Sequence, residues 1–197
     1  YKSIRESLSQ AGTYNDHKTV ITFINSEYIT EENVGEKLAG QDGIVICPGF
    51  GQRGIEGKVI AAHYTRTHDI PTFGICLGMQ LLFERSYEYG CHEGLGLLKG
   101  QVVPMEGKLP AELKIPHMGW NALEVKGGRL LSGMNGQYVY FVHSFFAENC
   151  DDSLSAVTQY GIPITAAVEK GNVYGCQFHP EKSGNVGLSI LRKFAEV

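Results

Sequence analysis

The sequence predicts an α/β domain of the doubly wound kind: a mostly parallel central sheet, helices flanking it, and additional antiparallel strands. Three observations carry that expectation. Apolar, β-branched runs at residues 19–24, 43–47 and 72–75 alternate with stretches of helical periodicity, the pattern of strands joined by crossover helices. The third run leads into Gly74-Ile75-Cys76-Leu77-Gly78, a sharp strand-to-helix junction. Beyond residue 100 the sequence turns strand-rich, with Gly-containing turn signals between the runs. A chain of 197 residues has room for one such domain, spanning 1–197, and a second full domain would be crowded.

In chain order, Ile4, Leu8 and Ala11 recur at helical spacing and predict a helix over about 1–11, with Gly12 as its C-cap. Strands follow at 19–24, 43–47 and 72–75, with a helix near 57–68 between the last two. A helix opens after Cys76 and runs through Met79, Gln80, Leu81, Leu82 and Phe83. Five further strands are expected at 101–105, 121–125, 138–142, 164–168 and 172–178, then a final helix from about Asn185. Lys126-Gly127-Gly128 and Lys170-Gly171-Asn172 read as hairpin turns.

Composition narrows the function classes. The chain is 43% hydrophobic and 19% charged with a mean hydropathy of -0.12, ordinary for a soluble protein, and no apolar run approaches the roughly 18 residues of a membrane span. A net charge of -4 with scattered Lys and Arg lacks the basic footprint of a nucleic-acid binder. The cysteines Cys47, Cys76, Cys91, Cys150 and Cys176 are odd in number and widely spaced, with no C-x-x-C pair, which argues against a metal site or disulfide framework and for a reducing cytoplasm. No signal peptide is visible, and the sequence opens at Tyr1 without a methionine, as a fragment would.

The junction around Cys76 is the cysteine form of a nucleophile elbow. Flanking glycines let strand turn abruptly into helix, which leaves the central side chain strained and accessible at the sheet's carboxyl edge. A helix N-terminus there favours the thiolate. The bland alternative is a buried, inert cysteine. A thiolate attacking a carbonyl needs a proton donor and a group to orient it, and His179-Pro180-Glu181 at the end of an apolar run supplies both, the two side chains falling on one side of an extended segment. The third need is an oxyanion hole. The turn Pro48-Gly49-Phe50-Gly51 ends a strand expected beside the elbow, so the backbone N–H groups of Gly49 and Leu77 are the candidate donors; a turn that needs glycine only for its angles has the same composition. Gly49-Phe50-Gly51-Gln52-Arg53-Gly54 also spells the dinucleotide fingerprint G-x-G-x-x-G, with Asp69 at a plausible distance for a ribose contact, but that lone match leaves the elbow and the His-x-Glu pair without a task.

Pro48-Gly49, Gly74-Ile75-Cys76-Leu77-Gly78-Met79-Gln80 and His179-Pro180-Glu181, in that order, resemble the class I, triad-type glutamine amidotransferases. The resemblance covers nearly the whole chain in two parts. Residues 1 to about 80, notably 25–34 and 49–58, look like the glutaminase domain of CTP synthase. The remainder, with Glu93-Gly94-Leu95-Gly96-Leu97, His117-Met118-Gly119-Trp120-Asn121, Tyr140-Phe141-Val142-His143-Ser144-Phe145 and Gln177 to Gly184, looks like the glutaminase subunit of imidazole glycerol phosphate synthase. Such a mosaic suggests an engineered chimera or an unusual natural hybrid. The resemblance implies a Cys76–His179–Glu181 triad, an oxyanion hole at Gly49 and Leu77, glutamine-binding positions at Gly51, Gln80, Glu88, Ser144 and Phe145, and a synthase-facing surface at Met118, Trp120 and Lys182. It implies glutamine hydrolysis to glutamate and ammonia without metal or organic cofactor, delivered to a partner, the cyclase of imidazole glycerol phosphate synthase first and CTP synthase second. A free-standing γ-glutamyl hydrolase and a catalytically silent binding subunit are the alternatives. Both resembled families carry a strand ahead of the first helix, whereas this sequence opens inside that helix.

Overall fold

A computed structural model of the chain describes residues 2–48 and 54–197. Its α-helices are Lys2–Tyr14 (α1), Val34–Leu38 (α2), Ile55–Thr67 (α3), Leu77–Gln80 (α4) and Gly184–Phe194 (α5). The strands are Ile44–Ile46 (β1), Thr72–Ile75 (β2), Phe83–Ser86 (β3), His92–Glu93 (β4), Leu98–Pro104 (β5), His117–Ala122 (β6), Glu124–Val125 (β7), Tyr138–His143 (β8), Phe145–Glu148 (β9), Leu154–Tyr160 (β10), Ile162–Lys170 (β11) and Val173–Cys176 (β12).

The main sheet has the order β1-β2-β12-β11-β10-β7. Strands β1, β2 and β12 run parallel, and β11, β10 and β7 extend the sheet antiparallel. All four residues of β2 are buried, because elements cover both faces of the sheet there, and this is why 72–75 reads as an unbroken apolar run. One core cluster packs Phe73, Ile75, Tyr174 and Phe178 with Ile190 and Phe194 of α5 and Ile4 of α1. A second joins Met79, Leu82, Phe83, Leu98, Val102 and Val168, and so fastens the four-stranded sheet β4-β3-β5-β9 to the main one. Strands β6 and β8 form a separate antiparallel ribbon. The α/β architecture with antiparallel additions is the one the sequence predicts.

Several elements differ from the expectation, each for a tertiary reason. Residues 19–24 form no strand, and Val20 and Phe23 are 78% and 58% exposed. A strand needs a ladder partner. Beside this segment lies a cavity of about 1670 Å³ walled by α1, residues 15–27, β1 and the chain's last residues, and no strand of the described residues crosses it. Gly12 is no cap but a buried residue inside α1, where Thr19 approaches so closely that a Cβ would overlap its hydroxyl. The helix after Cys76 ends at Gln80, after one turn, because Phe83 leaves it to pair with Leu98 inside the second core. The strand expected at 121–125 is broken, β6 pairing with β8 and β7 with β10. Lys126-Gly127-Gly128 therefore turns no hairpin, since the strands on either side of it, β7 and β8, belong to different sheets. Lys170-Gly171-Asn172 does, between β11 and β12. Strands β3, β4, β9 and β10 and helix α2 were not foreseen by the periodicity.

Candidate functional site

Cys76 stands where β2 gives way to α4, with φ 53° and ψ -110°, a conformation that a non-glycine residue adopts only under constraint. The constraint is visible: its N–H bonds the Cys176 carbonyl at 2.8 Å, and Phe73 and Ile75 just before it are fully buried. Strain of about 1–3 kcal/mol is offset by two buried side chains worth about 1.5–3 kcal/mol each. The elbow turns through Gly78, which lies so close to Ile46 that a Cβ would sit 2.1 Å from the Ile46 carbonyl oxygen. The thiol itself is partly exposed.

His179 comes to Cys76 from the end of β12. Its backbone N–H bonds the Tyr140 carbonyl on β8 at 2.8 Å, and its carbonyl accepts the Ser183 hydroxyl at 2.7 Å, so the residue is fixed from both sides. The ring is 7% exposed, and its Nδ1 is 2.8 Å from Glu181 Oε1. Burial alone would depress the imidazole; hydrogen bonds to Cys76 and Glu181 outweigh it and raise the ring to about 9, so it holds its proton beside the sulfur at neutral pH. Glu181 reaches the ring through a 3₁₀ turn at Pro180–Lys182 rather than along an extended segment, a correction to the alternation argument. Its Oε2 is buried and unpartnered among the described residues. Burial pushes the thiols of Cys47, Cys150 and Cys176 up, which disfavours them as nucleophiles.

The remaining candidates sort by position. Leu77 opens α4 beside Cys76; Gly49, Gly51 and most of the G-x-G-x-x-G stretch lie outside the described residues. Gln80 is 6% exposed and already engaged, its Nε2 donating to the Phe145 carbonyl at 3.3 Å and to Gln177 Oε1 at 3.0 Å. Ser144 joins β8 to β9, and Phe145 opens β9 with its carbonyl on the Gln80 amide. Glu88 is half-buried on the loop after β3, and burial raises its carboxyl; the neighbouring Tyr89 ring meets Phe145 edge-on at 6.0 Å. Met118 and Trp120, 60% and 52% exposed, share one face of β6, and Trp120 and Lys182 both lie on Tyr140, whose carbonyl anchors His179. Trp120 and Lys182 thus share the Tyr140 surface beside His179, and Met118 lies on the same face of β6 as Trp120. Sequence reasoning missed Gln177, whose Nε2 lies 3.6 Å from Cys76 Sγ. Its place two residues before His179 was the available signal. Among the described residues, no cluster of three or more His, Cys, Asp or Glu is placed to hold a metal.

Comparison with known proteins adds the family. A family model for class-I glutamine amidotransferases matches residues 1–197. The imidazole glycerol phosphate synthase subunit HisH of Caldanaerobacter subterraneus subsp. tengcongensis is 55% identical over 130 residues, which cover 64% of this chain and 62% of that relative, so the matched part spans under two thirds of the relative's length. The HisH subunit of Bacillus cereus strain B4264 is 41% identical over 195 residues, covering 94% of this chain and 90% of the relative. A solved Trypanosoma brucei CTPS glutaminase domain with bound acivicin superposes with a TM-score of 0.77 at 23% identity, covering 100% of this chain and 88% of that one, a likeness of fold. With its whole length matched by the family and 41% overall identity to a relative across 94% of it, the chain belongs to the class-I glutamine amidotransferases.

Proposed function

We propose that this chain, as a single domain over 1–197, hydrolyses L-glutamine to glutamate and ammonia and passes the ammonia to a synthase partner. The observation that carries the reading is the buried His179 ring, held between the Cys76 sulfur and the Glu181 carboxylate. Cys76 Sγ attacks the carboxamide carbon, and the Leu77 and Gly49 N–H groups receive the oxyanion. His179 gives its proton to the departing ammonia as the C–N bond breaks, leaving a glutamyl thioester. Water then adds, its proton taken by His179, and the C–S bond breaks to free glutamate. Gly51, Gln80, Glu88, Ser144 and Phe145 line the glutamine pocket in this reading, and the Met118, Trp120 and Lys182 surface docks the partner. The cyclase of imidazole glycerol phosphate synthase is the first candidate partner, on the HisH likeness, and CTP synthase the second, on the fold of its glutaminase domain. In this reading the chain is a mosaic of the two patterns working in the cytoplasm; 55% identity to one HisH relative over 130 residues, against 41% to another over 195, supports the mosaic.

Releasing ammonia with no acceptor wastes glutamine, so the chain alone is expected to be a weak glutaminase that the cognate cyclase stimulates. Glutamine turnover with and without that cyclase, beside a binding titration, decides this; fast turnover unchanged by any partner would favour a free-standing hydrolase. Glu181→Gln is expected to cost less than loss of the nucleophile, by about two orders of magnitude in kcat, because it orients His179 without entering the covalent chemistry. Steady-state kinetics on the folded variant check the order, and equal losses contradict it.

A further inference from the structure

Opposite the triad, across the Phe145 carbonyl, lie two buried histidines that the hydrolysis scheme does not use. His117 and His143 are direct cross-strand partners in the β6–β8 ribbon, 0% and 6% exposed. Their rings belong to a continuous chain of contacts. Asn121 Nδ2 donates to the Gln159 carbonyl at 3.0 Å, Asn121 Oδ1 lies 2.8 Å from His117 Nε2, His117 Nδ1 lies 3.0 Å from His143 Nε2, and His143 Nδ1 lies 2.8 Å from the Phe145 carbonyl.

Each of these four contacts needs one proton between its two heavy atoms. Both ends are backbone carbonyls, which only accept, so each contact needs one donor from Asn121 or a ring. Asn121 presents one amide nitrogen and one amide oxygen to its two neighbours, and each neutral imidazole has one N–H and one lone pair. Three donors serve four contacts. Turning the Asn121 amide or exchanging a tautomer moves the deficit along the chain without removing it: somewhere two lone pairs face each other at 2.8–3.0 Å. One additional proton makes all four bonds at once.

We propose that His117 and His143 are positioning residues for glutamine turnover: the pair takes up one proton beyond its two neutral rings in mild acid, and in that state it fixes the Phe145 carbonyl. This rests on the glutaminase reading. The Phe145 carbonyl also accepts Gln80 Nε2, Gln80 Nε2 also donates to Gln177 Oε1, and Gln177 Nε2 reaches Cys76 Sγ, so the chain of contacts runs without a break to the nucleophile. The surplus proton resides on His117. Burial holds His143 at about 3, with the His117 and His179 charges adding to that, so His143 stays neutral; beside an imidazolium His117, which donates to its Nε2, its own proton is forced onto Nδ1 toward Phe145, and without the surplus proton that tautomer is no longer imposed. Burial also lowers His117, against the Asn121 hydrogen bond that raises it, so the fully bonded state is reached only at a pH under the ordinary histidine value of 6.5 and is lost as the pH rises toward it. The titratable groups facing the pair are Tyr160, whose ring stacks on His117 at 4.0 Å, and His179 with its partners; among the described residues neither ring is ion-paired with a carboxylate.

The test uses the full chain labelled with ¹⁵N-histidine, and the variants His117→Gln and His143→Gln, which keep one donor and one acceptor but cannot take the proton. Ring ¹⁵N shifts across the folded pH range are expected to show His117 becoming imidazolium below 6.5 while His143 stays neutral. The kcat/KM profile is expected to carry the same ionisation, absent in His117→Gln, and His143→Gln is expected to lower kcat/KM roughly tenfold, the size of one lost hydrogen bond. Two rings neutral throughout, or a His117→Gln profile identical to the wild type, would overturn the proposal. If glutamine is not turned over even with the cyclase, the glutaminase reading fails separately, and the pH profile of Cys76 alkylation by iodoacetamide decides the positioning in its place, an unchanged profile in His117→Gln refuting it.

Discussion

Cys76→Ala is expected to remove glutamine hydrolysis, a loss of about four to six orders of magnitude in kcat, while the fold remains. The side chain is partly exposed and contributes chemistry more than packing, so truncating it opens little cavity. A glutamine-like electrophile is expected to label Cys76 ahead of Cys47, Cys150 and Cys176, whose thiols burial pushes up. The backbone gives a second readout. At φ 53° and ψ -110°, alanine retains the strain of cysteine and glycine does not, so Cys76→Gly is expected to be more stable than Cys76→Ala by about 1 kcal/mol. Substantial ammonia release by either variant would remove Cys76 from the mechanism, and a glycine variant no more stable than alanine would contradict the strain.

The largest expected effect on stability belongs to Gly78→Ala. Its added Cβ would meet the Ile46 carbonyl oxygen, and backbone cannot step aside as a flexible side chain would. Either β1 detaches from β2 or α4 lifts and carries Cys76 with it. Denaturant unfolding is expected to show a loss of about 4 kcal/mol or more, with glutaminase activity lost in any folded remainder. Gly127→Ala is the control, since nothing lies within 4 Å of the Cβ it would add. Equal stability of the two variants would mean that the elbow is looser than its contacts indicate.

What could be read from the sequence was what local sterics dictate. The elbow was legible because a turn that tight admits few residues besides glycine at 74 and 78, and Glu181 because its reach to His179 is set within three residues. What depended on distant pairing was not. Leu81-Leu82-Phe83 suits a buried helix and a buried strand equally, and only the partnership of Phe83 with Leu98 decides. Residues 19–24 have strand composition but no ladder to join among the described residues. Gln177 carries no chemistry of its own and becomes notable only where β12 sets it beside Cys76. His117 and His143 are far apart in sequence, and the β6–β8 register alone makes them neighbours.

The crowding at the elbow also governs how such a domain can vary between descendants. Gly74 faces Gly175 across the parallel β2–β12 pair; a side chain on Gly74 would strike the backbone of Gly78 and Met79, and one on Gly175 would strike Met79 itself. Four residues from three elements therefore hold one another's identities. A change at 175 meets side chains, Met79 and Val168, that can shrink beforehand, whereas changes at 74 and 78 meet backbone and have no such permissive predecessor. Drift under selection for folding alone would thus freeze the neighbours of the nucleophile as firmly as selection for catalysis. In a lineage that had lost Cys76, the glycines would outlast the chemistry they once framed.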